Sequence, residues 1–219
     1  DLSFGLHQGT SNSLIIKLGI DKAIEQGADV INMSLGGACD PNYPCTDDIM
    51  ESAINNAYDN YNIVLVAASG NLGATVWFPA VLPKVIAVGS STINDTRATY
   101  SSYGPELDIM APVGGGSSST LINSSTYACG TARNCDDQRF LTSFSNRLNG
   151  SDWSGTSFAA PQVAAAAALI KSNKSSLTNT EIKDRLIYYA TDLGTAGRDD
   201  ETGYGNLNLY RSVTDDIQP

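Results

Sequence analysis

The chain has 219 residues, 13 of them basic and 23 acidic, for a formal charge of −10; hydrophobic residues make up 42% and charged ones 16%. That charge density lies below the roughly 25% of ordinary soluble domains, and with this much apolar content the chain can fill a core, which excludes wholesale disorder. The acidic balance argues against nucleic-acid binding, which needs Lys and Arg clustered on phosphates, and the longest apolar run, Val163 to Ile170, is far short of the roughly 18 residues of a membrane span.

In chain order, Asp1-Leu2-Ser3-Phe4 lacks an initiator Met and reads as a processed or truncated start. No basic stretch precedes an apolar one there, so no signal peptide is expected. Ser13 to Gln26 has helical spacing, with Leu14, Leu18 and Ile24 expected toward one side and Gly27 as a stop. Ala28 to Ser34 reads as a short strand broken by Gly36-Gly37. A second helix begins at Thr46-Asp47-Asp48, acidic at its positive end, with Ile49, Ala53, Ile54, Ala57 and Tyr61 as its apolar face. Ile63 to Ala68 and Val85 to Val88 are apolar runs typical of parallel strands buried on both faces. Strands alternating with helices in this way predict a parallel sheet covered by helices.

The four cysteines fall in two close pairs, Cys39/Cys45 and Cys129/Cys135. Of three connectivities, adjacent pairing closes the shortest loops. Zinc is disfavoured by the single histidine and the absence of CxxC spacing. Two local disulfides in an acidic, Ser/Thr/Asn-rich chain suggest an oxidising, secreted setting, against four free thiols in a reducing cytosol as the competing reading. Gly114 to Ser154 is Gly-, Ser-, Thr- and Asn-rich and too long for an ordinary connection. Ala159 to Lys171 reads as an Ala-dominated helix small enough to be buried all round, and Thr178-Asn179-Thr180-Glu181 has capping-box spacing for a helix to about Ala190.

Two local patterns carry chemistry. In Ser154-Gly155-Thr156-Ser157-Phe158-Ala159-Ala160-Pro161, Ser157 stands where a loop enters a helix, close to unpaired N–H groups and the positive dipole end. The competing reading is a helix N-cap. In Ala67-Ala68-Ser69-Gly70-Asn71, an Asn at the carboxyl end of a buried strand can offer its amide to a developing negative charge; the competing reading is an ordinary Gly-Asn turn.

Gly155 to Pro161 closely resembles the nucleophile motif of subtilisin-like serine proteases (subtilases, peptidase family S8). The other landmarks follow in that family's order: Asp29 to Gly37, Ala67 to Asn71, Val85 to Gly89, Tyr100 to Pro112 and Gly203 to Asn208. The resemblance covers nearly the whole chain apart from the loop around Cys129 and Cys135. It implies a three-layer α/β fold with a mostly parallel sheet flanked by helices, lacking its N-terminal strands, so that residues 1–219 are a partial peptidase domain. It implies Ser157 as nucleophile and Asn71 as oxyanion donor together with the Ser157 N–H. Ser34-Leu35-Gly36 and Ala68-Ser69-Gly70 resemble two backbone rails that pair with an extended peptide and flank its P1 side chain. Trp77 matches a position near the floor of that pocket, which implies small or medium P1 residues.

The family's triad runs Asp, His, Ser. The only histidine is His7, in a His-Gln-Gly-Thr stretch that lies too close to the Ser34 strand to be the catalytic one, and Asp1 has no strand-end context. A serine without a base is a poor nucleophile, so the Asp and His are expected upstream of residue 1. The rival readings are a catalytically silent homologue that binds extended peptides and a fragment that only partners its own N-terminal half. No cofactor is expected. Acidic runs such as Asp47-Asp48 and Asp199-Asp200-Glu201 leave structural calcium open, though a solvated acidic surface explains them too and no metal ligands are assigned. Sequons occur at Asn32, Asn94, Asn123, Asn149 and Asn173, near the frequency chance gives; Asn32, in a strand, is expected to be buried.

Overall fold

The computed structural model describes residues 12–39, 45–115 and 154–214, and the backbone of four two-residue strands between them. Cys129, Cys135, His7 and Asp1 lie outside the described residues. Helix α1 (Ser13–Glu25) leads to strand β1 (Val30–Met33), α2 (Asp48–Tyr61), β2 (Val64–Ala68), β3 (Ile86–Ser91) and β4 (Ile109–Pro112). A single 3₁₀ turn, Thr156–Phe158, precedes α3 (Ala160–Asn173), followed by α4 (Asn179–Tyr188) and α5 (Leu209–Thr214). The strands form one parallel sheet in the order β1-β2-β3-β4. Between β4 and the 3₁₀ turn in sequence, β5 (Ser124–Ser125) pairs with β6 (Phe144–Ser145) and β7 (Arg147–Leu148) with β8 (Ser151–Asp152), all antiparallel.

The period of two along a strand divides the core into two layers. Val64, Val66 and Ala68 of β2 face α3 and α4, packing with Val163, Ala167, Ile182 and Leu186. Ile63, Leu65 and Ala67 face the opposite way, onto Ile20 of α1 and Met50, Ala53, Ile54 and Ala57 of α2. This is the expected three-layer α/β arrangement. Lys183 of α4 fastens that helix to the sheet through the Asp108 carboxylate at 2.8 Å, and Asp108 also accepts from the Ala87 N–H at 2.9 Å. Among the described residues no helix is long and apolar enough to cross a membrane.

Several expectations about faces need correcting. Leu14 and Leu18 of α1 are exposed, because the inward stripe is Ile16, Ile20 and Ile24, spaced by four. In α2 the ends of the expected face, Ile49 and Tyr61, are also exposed, and Met50 is buried instead. Helix α3 is not buried all round: Ala165, Ala168 and Leu169 face outward while Val163, Ala166, Ala167 and Ile170 carry the contact. Asn32, expected to be buried, is exposed; its strand β1 stands at the rim of the sheet that the described residues form.

Candidate active site

Strand β2 ends in Ala68-Ser69-Gly70-Asn71 with its backbone held from both sides. The Ser69 N–H donates to Val88 O at 2.9 Å, and the Ser69 hydroxyl donates to Ser102 O at 3.0 Å. Gly70 has φ +113°, and a Cβ there would lie 2.5 Å from the Trp77 ring, so glycine is required on both counts. The chain then presents Asn71 to the turn that carries Ser157.

The contact between these segments fixes the orientation of the Asn71 amide. The Thr156 N–H donates to Asn71 Oδ1 at 2.8 Å. A backbone N–H only donates, so the atom facing it is the oxygen, and Nδ2 is left to donate elsewhere. The Thr156 hydroxyl reinforces the joint: Oγ1 lies 3.0 Å from Asn71 Oδ1 and accepts from the buried Gly70 N–H at 3.2 Å. Gly155, at φ +136°, lies against the same amide: a Cβ there would be 3.3 Å from Nδ2 and 3.5 Å from Oδ1. The free end of the Asn71 amide thus lies beside the residue two before Ser157.

Ser157 itself is half-buried in the 3₁₀ turn. The first internal bond of that turn uses the Phe158 N–H, onto Gly155 O at 3.0 Å, so the Ser157 N–H belongs to the donors a helix start leaves over. Helix α3 has Ala159 as its N-cap with no side-chain cap, and Pro161 sits in its first turn. Ser157 therefore does not cap this helix, which removes the main competing explanation for its presence. Its hydroxyl lies 3.4 Å from Ser34 O, while the Ser34 hydroxyl donates to Ser157 O at 2.9 Å.

The two proposed rails are tied through Trp77. The Trp77 N–H donates to Ser69 O at 2.9 Å, and the next residue, Phe78, exchanges bonds of 2.9 and 3.1 Å with Gly37, just past Ser34-Leu35-Gly36. The half-buried Trp77 indole rests against Gly70, between the rails. Beyond the first rail is a hollow of about 270 Å³ whose walls include Ser13, Ile16, Leu35, Met50 and Phe78. Disulfide Cys39–Cys45 closes the loop between that rail and α2, with a Cα–Cα distance of 5.0 Å. Asp47 then caps α2, accepting from Ile49 and Met50, and also accepts from the Ser13 hydroxyl at the start of α1. The Ser13 bond, followed by the Met50 N–H, holds the Asp47 carboxyl below the usual range.

Two other titratable groups sit in loops near this region or along the acidic surface. Burial raises the Tyr100 phenol, whose hydroxyl donates to Gly114 O at 3.1 Å. Burial also pushes Asp199 upward, but N–H groups of Thr202, Thr195 and Glu201 and the Thr202 hydroxyl outweigh it, and the carboxyl ends below its ordinary value. Asp199, one of the acidic residues that left calcium open, directs both oxygens at those loop donors.

Sequence reasoning passes over Thr156 and Asn32. Thr156 carries a readable signal, a β-branched hydroxyl residue in a turn that otherwise favours smaller ones. Asn32 carries none: its Nδ2 donates to Ser34 Oγ at 3.0 Å, a contact that only the strand geometry creates.

Comparison with known proteins agrees with this architecture. The family described as the subtilase family matches residues 2–205. Subtilisin DY of Bacillus licheniformis is 38% identical over 191 residues, 85% of this chain and 58% of that protein. The minor extracellular protease Epr of Bacillus subtilis (strain 168) is 35% identical over 199 residues, 90% of this chain but 26% of its own length. The chain thus spans less than two thirds of these relatives. Among solved structures, a lanthipeptide protease superposes with a TM-score of 0.74 at 27% identity, covering 94% of this chain and 67% of that one. With the family matched over residues 2–205 and relatives aligned over most of its length, the chain belongs to the subtilase family.

Proposed function

We propose that residues 1–219 form the nucleophile-bearing part of a peptidase domain that hydrolyses peptide bonds through an acyl-enzyme on Ser157. The Ser157 Oγ attacks the scissile carbonyl carbon as a base removes its proton. The carbonyl oxygen, gaining charge, receives bonds from Asn71 Nδ2 and the Ser157 N–H. Collapse expels the leaving amine with the returned proton, and water then cleaves the acyl ester by the same steps. The base and its orienting carboxylate are assigned to a His and an Asp upstream of residue 1. The exposed Leu14 and Leu18, and the side of β1 on which no described strand pairs, support an upstream portion packing there.

The observation that carries this reading is the Asn71 amide, pinned by Thr156 with its donor end beside the Ser157 turn. The rails would pair with an extended peptide or protein substrate, with Trp77 flooring the P1 pocket. The chemistry requires no cofactor. A local disulfide and an extracellular relative support secretion. A fluorophosphonate probe applied to the full-length protein should label Ser157, and Ser157→Ala should abolish labelling. No labelling of a folded, full-length sample refutes the peptidase reading.

A further inference from the structure

We propose that Asn32 is a positioning residue for the nucleophile, acting through the hydroxyl of Ser34; this rests on the reading of Ser157 as nucleophile. Three bonds carry the inference. Asn32 Nδ2 donates to Ser34 Oγ at 3.0 Å, Ser34 Oγ donates to Ser157 O at 2.9 Å, and Ser157 Oγ lies 3.4 Å from Ser34 O. A serine hydroxyl has one proton and two lone pairs. With the Asn32 N–H occupying one lone pair, the Ser34 proton is directed to the Ser157 carbonyl, and a donor that is itself accepting donates more strongly.

Ser34 and Ser157 are thereby joined by two rungs of unequal strength. The short rung fixes the backbone of the nucleophile turn against the end of β1. The long one is weak, so the Ser157 hydroxyl can leave it to attack without disturbing the backbone. Ser34 also begins the first rail, so the residue that would hold substrate is the one that gauges the position of the nucleophile. A peptide hydrogen-bonded to the rail arrives in register with Ser157 because both are referenced to the same residue. Misplacement of about 1 Å is enough to cost a large factor in rate. Asn32 is exposed, and packing does not account for its amide pointing at Ser34.

The test uses full-length protein, the rate of fluorophosphonate labelling, and kcat and KM on a peptide substrate. Asn32→Asp keeps the shape but replaces a donor with an acceptor, so the Ser34 proton turns toward residue 32 and releases the Ser157 carbonyl. Asn32→Asp and Asn32→Ala should each lower labelling rate and kcat by roughly 2- to 13-fold, the scale of one hydrogen bond. KM should stay within about twofold and the melting temperature within about 2 °C, as for an exposed site. Ser34→Ala should show a similar loss, and combining it with Asn32→Ala should add nothing, as members of one relay do not act independently. Losses that multiply, or an Asn32→Asp protein labelled at the unaltered rate, overturn the relay alone. An unaltered protein that is not labelled overturns the nucleophile reading and the relay with it.

Discussion

Replacing Thr156 by Val tests the joint between Asn71 and the nucleophile turn with little change of shape. The substitution keeps the backbone N–H bond to Asn71 Oδ1 at 2.8 Å but removes the hydroxyl contacts at 3.0 Å to Asn71 and 3.2 Å to the Gly70 N–H. Leaving the buried Gly70 N–H without an acceptor costs about 1–3 kcal/mol, which for a domain of this size lowers the melting temperature by roughly 2–12 °C. The rate effect is separate. Asn71 loses one of two anchors, so its amide is held less firmly; one hydrogen bond of about 0.5–1.5 kcal/mol corresponds to roughly 2- to 13-fold in kcat. In a subtilisin, removing the oxyanion-hole Asn altogether costs about 2.7–4 kcal/mol of transition-state stabilisation, so the Val variant should stay well above that floor. Burst kinetics on an activated ester, with full-length protein, separate acylation from binding. Thr156→Ser should restore the rate. A Val variant that melts early yet acylates at the unaltered rate would mean that the hydroxyl serves the fold alone, and the orienting role would be refuted.

Four further outcomes follow from particular contacts. Because the indole lies between the rails against Gly70, the full-length protein should prefer small or medium P1 residues, and Trp77→Ala should raise the ratio of kcat/KM for Phe over Ala substrates; efficient cleavage after Phe or Tyr by the unaltered protein contradicts this. Lys183→Met strands the mostly buried Asp108 carboxylate and should cost about 1.5–3 kcal/mol, read from urea midpoints. Since the folded Asp47 carboxyl is held below its ordinary value, its contribution is complete above about pH 3.9 and fades as the pH falls through the depressed value; thermal melts of Asp47→Asn should lack that part of the acid-side loss. Expressed alone, the 219-residue chain should aggregate or fold only in part, through the exposed Leu14 and Leu18 and the edge of β1 on which no described strand pairs; a monodisperse sample with one cooperative melt would overturn that.

The fold was legible where one pattern admitted one environment. The runs at Ile63 to Ala68 and Val85 to Val88 are apolar at every position, which suits a strand covered by helices on both sides, and both are buried throughout. Helix faces were harder to read. In α1 the stripes Leu14-Leu18 and Ile16-Ile20-Ile24 are both apolar, and a period of 3.6 accommodates either; only the partner, α2, selects the second. In α3 alanine fits inside and outside equally well, so composition carries no information about which side faces the sheet. Asn32 was misplaced for a related reason: strand membership was readable, but a position at the rim of the sheet depends on strand order.

The site divides along the same line. Ser157 and Asn71 could be picked out because each sits in a backbone context with a local signature, a glycine-flanked turn before a helix and a strand end followed by Gly-Asn. The contact of Asn71 with Thr156, the neighbour of Ser157, could not be read, since residues 71 and 156 are 85 apart in sequence and no local pattern encodes that distance. The parallel sheet supplies it: β2 delivers Asn71 at its carboxyl end, and α3, packed across β2, brings its own N-terminal turn to the same end. The supporting shell shows the limit of sequence reading. Thr156, Asn32 and the Ser34 hydroxyl act by hydrogen bonds across elements, and such bonds leave no spacing or composition for a single sequence to display.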